Sequence, residues 1–259
     1  MTAPVLYAAA LGVGLLVVTL MWLLHLRLRN AAVIDVAWGV NLSLMAIVYA
    51  LLADGWPARK WLVAAMVTVT GLRLSWHIGR RTFGLPEDGR YARIRASYGT
   101  HVELKFLRFY AFQGIVASWL SLPYLFASRN ATPSFAALEI GALVLFVAGV
   151  LGESVADAQL AGFKANPANA GQVCRGGLWR YSRHPNYFFE WVMWLSYWLF
   201  ACASPWGWVT VFAPALMLHV LLNITGVRIT EAHCLRSRGE AYRRYQETTS
   251  VFVPWFPRS

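Results

Sequence analysis

Long apolar runs, separated by short basic segments, recur along almost the whole chain. Runs of about 17–25 residues are long enough to cross a hydrocarbon core. They fall near residues 4–25, 33–53, 60–79, 109–127, 134–156, 187–203 and 205–223. The pattern predicts an all-α polytopic membrane protein with seven transmembrane helices. Only Ala203, Ser204 and Pro205 separate the last two windows, a tight turn in which Pro205 cannot continue the preceding helix cleanly. Polar segments lie at 80–105, 159–186 and 225–259, and the first carries Gly84, Pro86, Asp88 and Gly89 as breakers. No internal repeat or low-complexity stretch interrupts the pattern, so residues 1–259 are expected to form a single seven-helix membrane domain.

Composition supports lipid as the solvent. The chain is 58% hydrophobic and only 14% charged, against roughly 25% charged residues in a soluble domain. The formal net charge of +11 raises nucleic acid as a partner. The arginines, however, lie between apolar runs, as in cytoplasmic loops, and on no recognisable reader module. No nucleic-acid role is therefore expected. With the N-terminus outside and the C-terminus cytoplasmic, the inside segments hold 19 of the 23 Lys and Arg residues. Arg59, Lys60 and Arg129 fall outside and Arg73 lies within a span, which is the positive-inside asymmetry. Six spans would put the basic tail opposite other basic loops. The first apolar run has no preceding charge and is followed by Arg27 and Arg29, so it is expected to stay as a membrane anchor. A bacterial inner membrane fits these features. Cys174, Cys202 and Cys234 are isolated and suggest neither a disulfide framework nor a metal site.

Ionisable side chains inside a bilayer are costly, by about 2.5–3.5 kcal/mol each on insertion scales, and usually pair or serve function. Asp35 begins the second window. Arg73 and His77 are four apart in the third and share a helix face. Glu153 and Asp157 repeat that spacing at the end of the fifth. For Asp35 and Arg73 an ion pair is as good a reading as catalysis. Glu139 and His219 read as packed groups.

The richest chemistry lies between Asp157 and Glu190. Lys164, Arg175, Arg180 and Arg183 concentrate positive charge beside one membrane face, while Pro167 and Gly176-Gly177 permit sharp turns. Asn186 and Glu190 are one turn apart at the start of the sixth window. Asn186 also sits near a helix N-terminus, where free N–H groups favour anionic oxygens. Arginines that merely obeyed the positive-inside rule would not need to alternate with Asn, His, Tyr and Glu. This mixture suits an anionic ligand rich in hydrogen-bonding groups.

Arg183-His184-Pro185-Asn186-Tyr187, followed by Glu190, resembles the motif of the membrane steroid 5α-reductases and sterol reductases. Asp157, Phe163-Lys164 and Asn166-Pro167 are similar to the sterol reductases as well. The likeness covers roughly residues 140–256 and looks greatest to a bacterial branch of the 5α-reductase C-terminal family. It implies NADPH bound on the cytoplasmic side within about 150–256, and hydride transfer to a C=C bond conjugated to a carbonyl. Carried over residue by residue, it places Asp157, Arg180, Tyr181, Asn186, Tyr187 and Glu190 in the cofactor site. Lys164, Asn166, Arg175, Arg183 and His184 match less uniformly. Arg228 resembles an arginine that holds the cofactor from the seventh span. Glu231, Tyr242 and Tyr245 belong to a tail expected to fold back over it.

The steroid enzymes use a glutamate and a tyrosine on the substrate carbonyl. Asp35 falls at the glutamate, but Ile78 falls at the tyrosine. The neighbouring His77, held by Arg73 or Asp35, is the expected donor in its place. The implied substrate is an apolar enone, steroid or other lipid, taken from the membrane, with no obligate protein partner. Two alternatives stay open. Isoprenylcysteine carboxyl methyltransferases, which use S-adenosylmethionine, carry a similar Arg-His-Pro-x-Tyr motif, and Glu231-Ala232-His233 suits them. A non-catalytic sterol-binding membrane protein is the other.

Overall fold

The computed structural model describes residues 1–258, which contain α, 3₁₀ and π helices and no strand. Five segments are long and apolar enough to cross a membrane: Ala3–Leu28, Val33–Leu52, Pro57–Thr82, Ala137–Ala165 and Gly207–Thr248. This is the character of an integral membrane protein. The first three are single helices, α1 to α3, each closely matching an apolar window. A short helix, α4 (Gly89–Tyr98), follows in the polar segment, capped by the Asp88 carboxylate, which accepts from the Arg90 N–H at 2.8 Å. The window near 109–127 is divided at Ser121 into α5 (Val102–Leu120) and α6 (Leu122–Arg129), with Pro123 in the first turn of α6. Next come α7 (Ala137–Ala165), α8 (Pro185–Cys202), α9 (Phe212–His219) and α10 (Val227–Thr248). Neither α5 nor α8 joins the five. Glu103, Lys105 and Arg108 stand in the first turns of α5, and α8 is crowded with Trp and Tyr, whose polar ring atoms lower its hydropathy.

The chain divides into two compact units, Met1–Ala136 with Ala201–Thr210, and Ala137–Phe200 with Val211–Ser259. In the first, α2 is the central helix, with 67% of its apolar window buried against 28% for α1. Helix association in lipid relies on close van der Waals contact and interhelical hydrogen bonds, and α2 uses both. A Cβ on Gly39 would lie 1.9 Å from the Gly71 carbonyl oxygen, so α2 and α3 touch backbone to backbone. Beside this crossing the Ser75 hydroxyl donates to the Val36 carbonyl (2.8 Å). The Tyr49 and Ser121 hydroxyls bond at 2.9 Å.

Arg59 closes the far end of this unit. It is 1% exposed and donates to the carbonyls of Asn130 (2.9 Å), Thr132 (2.7 Å) and Ser134. Its guanidinium also lies over the rings of Trp56 and Phe135, 5.4 and 5.8 Å from their centroids. The apolar stem is buried, and carbonyl dipoles and ring faces meet the charge. Arg59→Met keeps the stem but removes the charge-assisted bonds. The expected result is a loss of about 2–3 kcal/mol, measured as a lower thermal midpoint in detergent.

In the second unit α7 and α8 pack closely at Gly149 and Gly152, where an added Cβ would strike Met193 and Phe189. The Trp191 indole N–H donates to the Pro214 carbonyl (3.0 Å) and joins α8 to α9. After α9 the chain widens into one π-helical stretch, Val220–Ile224, before α10 starts at Val227. Helix α10 bends at Gly239, whose φ of 52° and ψ of −126° are ruled out for most other residues. The bend turns the end of the chain back over the segment that precedes α8.

Candidate functional site

The second unit gathers most of the residues implied by the motif. Asp157, near the end of α7, accepts a hydrogen bond at 3.2 Å from the Asn186 amide in the first turn of α8. The segment between them is held in place by its own side chains. Asn166 caps a 3₁₀ turn, Pro167–Asn169, by accepting from the Ala168 N–H (3.0 Å). Trp179 is buried and donates from its indole to the Ala156 carbonyl (2.9 Å).

Around Glu231 the geometry is tighter. One oxygen of its carboxylate accepts from Arg183 Nε (3.0 Å), His184 Nε2 (2.9 Å) and the Tyr242 hydroxyl (2.7 Å). The other accepts from the Gln246 amide. Arg183 also donates to the carbonyls of Gln246 (2.7 Å) and Thr249 (3.1 Å). His184 is 2% exposed, and its ring stacks on that of Tyr187, with centroids 5.6 Å apart. Tyr245 is buried and donates to the Trp179 carbonyl. The tail completes the closure through Arg183 N–H to Ser250 (2.9 Å), Ser182 hydroxyl to Phe252 (2.8 Å) and Trp255 N–H to Tyr181 (2.9 Å). So Arg183, His184 and Tyr242 are satisfied on Glu231, and Tyr245 on the Trp179 carbonyl. They build the wall of the site.

Other cations of the motif face outward. Lys164, Arg175, Arg180 and Arg228 are exposed. Arg175 donates to the Ala241 carbonyl (2.6 Å) and lies over the Tyr245 ring. Arg228 and Arg236 line a cleft of about 330 Å³ with Asn223, Ile224, Ile229 and Ala232, where the π-helical stretch meets α10. Neither arginine makes an ion pair among the described residues. Glu190 and Tyr187 are half-buried on α8, and the Tyr187 hydroxyl lies 3.5 Å from that of Thr230. Residues spread through the motif thus lie on α7, α8, α10 and the segment between the first two.

The first unit holds a separate polar cluster at the start of α2. Asp35 accepts from the Tyr91 hydroxyl at 2.6 Å and from Arg90 Nη2 at 3.0 Å. Both donors come from α4, presented by the Asp88 cap. Beside them Glu87 accepts two bonds from Arg95 (2.9 and 3.1 Å) and one from the Ala31 N–H (2.7 Å). Burial disfavours the Glu87 carboxylate, but Arg95 and the Ala31 N–H outweigh it and hold the group below the usual carboxylate range. Burial, reinforced by the neighbouring Asp35, pushes the Tyr91 phenol well above its ordinary value, so Tyr91 keeps its proton. His77 is exposed on α3 and Arg73 is half-buried. Asp35 is held by neither of them; its partners are Tyr91 and Arg90. Tyr91 and Arg90 were missed in the sequence. Their one local signal is an Asp cap, Asp88, opening a short helix inside a polar segment.

Residues 21–249 match the family described as "Protein of unknown function (DUF1295)". The chain is also similar to an uncharacterized protein, C594.04c, of Schizosaccharomyces pombe. The two are 27% identical over 264 residues, covering 90% of this chain and 75% of the yeast protein. No solved structure matches.

Proposed function

Since the chain belongs to the DUF1295 family of proteins of unknown function, we propose a function from its own site: a membrane-embedded, NADPH-dependent reductase of the steroid 5α-reductase type. Its substrate is an apolar enone taken from the lipid, steroid-like or otherwise, and its product the saturated ketone. The topology that goes with this reading has seven spans, an outside N-terminus and a cytoplasmic C-terminus, in a bacterial inner membrane. The sorting of 19 of 23 basic residues to one side supports it.

The observation that carries the proposal is the cleft containing Arg228 and Arg236, two exposed guanidiniums without acidic partners, in the same unit as the Asp157–Asn186 pair. Arginines of this kind suit phosphate oxygens, which they bind bidentately. The residues present therefore fit a phosphate-bearing dinucleotide. Arg180, Arg228 and Arg236 would take its phosphates, and Asp157, Asn186 and Glu190 its hydroxyl and amide groups. When bound, NADPH supplies a hydride. Tyr91 keeps its proton and would turn its O–H from Asp35 to the enone oxygen as negative charge develops there; the enolate left by hydride addition then takes a proton from water at its α-carbon. Arg90 holds the second Asp35 oxygen and so fixes the direction of the phenol. S-adenosylmethionine carries no phosphate, and its single carboxylate would engage fewer of Arg180, Arg228 and Arg236 than a dinucleotide phosphate does.

A thermal-shift comparison of NADPH, NADH and S-adenosylmethionine in detergent tests this reading. A ligand bound only by the folded state at a hundredfold excess over its Kd adds about 2.7 kcal/mol. NADPH is expected to raise the midpoint, and Asn186→Ala or Arg228→Ala to reduce the effect. Stabilisation by S-adenosylmethionine alone would point to a methyltransferase and sink the proposal.

A further inference from the structure

Helix α3 leaves an open face between Leu72 and Phe83 in the first unit. The crossing at Gly39 and Gly71 brings α2 against α3, and the Ser75 hydroxyl is consumed by the Val36 carbonyl (2.8 Å). Gly79 adds no side chain. On the outer side Leu72, Trp76 and Phe83 are 54%, 70% and 46% exposed. The result is a groove of about 610 Å³ lined by these five residues and Arg80. That volume lies within the range of about 300–1,000 Å³ usual for small-molecule clefts.

Arg80 is the single charged group in this otherwise apolar lining. The acidic side chains near that end of the unit are already committed. Asp35 and Asp88 hold Arg90, while Glu87 and Glu103 hold Arg95. Arg80 has no such partner among the described residues. Bulk lipid tails could cover the apolar walls, but they cannot satisfy a guanidinium. Arg80 is exposed in the last turn of α3, where an acidic lipid head group at the membrane surface can pair with it.

We infer that this groove binds a single-chain lipid with an acidic head group, the head on Arg80 and the chain along Leu72, Trp76 and Phe83. The groove floor rests on Val36, the residue after Asp35. If the reductase reading holds, on which this step rests, the lipid is the substrate class presented to Asp35 and Tyr91. A neutral sterol would leave Arg80 without a partner.

The test uses the full-length protein in nanodiscs of neutral phosphatidylcholine at neutral pH, without NADPH. Dibromostearate and its methyl ester quench tryptophan on contact, and Trp76→Phe identifies the share due to Trp76. The acid is expected to quench Trp76 at roughly tenfold lower concentration than the ester, the effect of one charge-assisted pair. Arg80→Ala should erase that preference and Arg80→Lys should retain most of it. Displacement of the quencher by oleate or by oleoyl lysophosphatidate identifies a carboxylate or a phosphate head. Equal quenching by acid and ester, a preference that survives Arg80→Ala, or displacement by neither lipid would overturn the inference. Since no cofactor is added, a failure of NADPH binding leaves this result standing, and the reverse also holds.

Discussion

Glu231→Ala is expected to destabilise the second unit by about 3–5 kcal/mol, because it strips the partner from a buried charge and leaves the remaining donors unsatisfied. Arg183, His184, Tyr242 and Gln246 all converge on this one carboxylate, whose side chain is only 13% exposed. Glu231→Gln keeps the shape and one acceptor oxygen, yet it loses the charge that Arg183 needs. It should fall between the wild type and the alanine variant. The measurement is the thermal midpoint, together with limited proteolysis after residue 239, where α10 bends. A C-terminal segment as resistant to protease in Glu231→Ala as in the wild type would show that the hub is not what holds it. The readout also separates wall from ligand. Loss of NADPH binding with the fold intact would mean that Glu231 contacts the cofactor directly.

The second large effect is catalytic. Tyr91→Phe removes one hydroxyl and should lower kcat by about 10²–10³-fold, the usual cost of losing one donor to a developing oxyanion. NADPH stabilisation of the folded protein should remain unchanged. Asp35→Asn should fall in the same direction, since an amide in place of the carboxylate misdirects the phenol and loosens Arg90. His77→Ala should leave turnover near the wild-type level. If His77→Ala abolishes activity while Tyr91→Phe does not, the donor is His77, and the Asp35–Tyr91 contact is structural.

Several parts of this structure were legible from residue order, for physical reasons. The windows near 4–25, 33–53, 60–79 and 134–156 each contain one long helix, because apolar length alone decides whether a helix can cross lipid. The break at Ser121 was not foreseen. Ser121 and Pro123 interrupt a run that remains apolar on average, and hydropathy windows average over such local backbone changes. In the site, Asp157 and Asn186 were placed together by the motif and are hydrogen-bonded across 29 residues. The roles of Arg183 and His184 were harder to see. Residue type marks them as anion binders, but whether an arginine binds a ligand or a buried carboxylate depends on what the fold brings beside it. Here that is Glu231, 48 residues further on. Tyr91 is the extreme case. Its partner lies 56 residues away on another helix, and no periodicity connects the two.

The tail that closes over the site also fixes when the site can exist. Ser182 finds its partner carbonyl at Phe252, 70 residues later in the chain. At a synthesis rate of roughly 5–20 residues per second, that is a wait of roughly 4–14 s during which the segment between α7 and α8 lacks its cover. Arg183 and His184 wait a shorter time, roughly 2–10 s at that rate, for the Glu231 carboxylate 48 residues further on. A ribosome stalled short of residue 231 would leave a chain with its apolar helices made but its anion-binding wall unassembled. The protein therefore gains its binding surface only after α10 and the segment that follows it have been made.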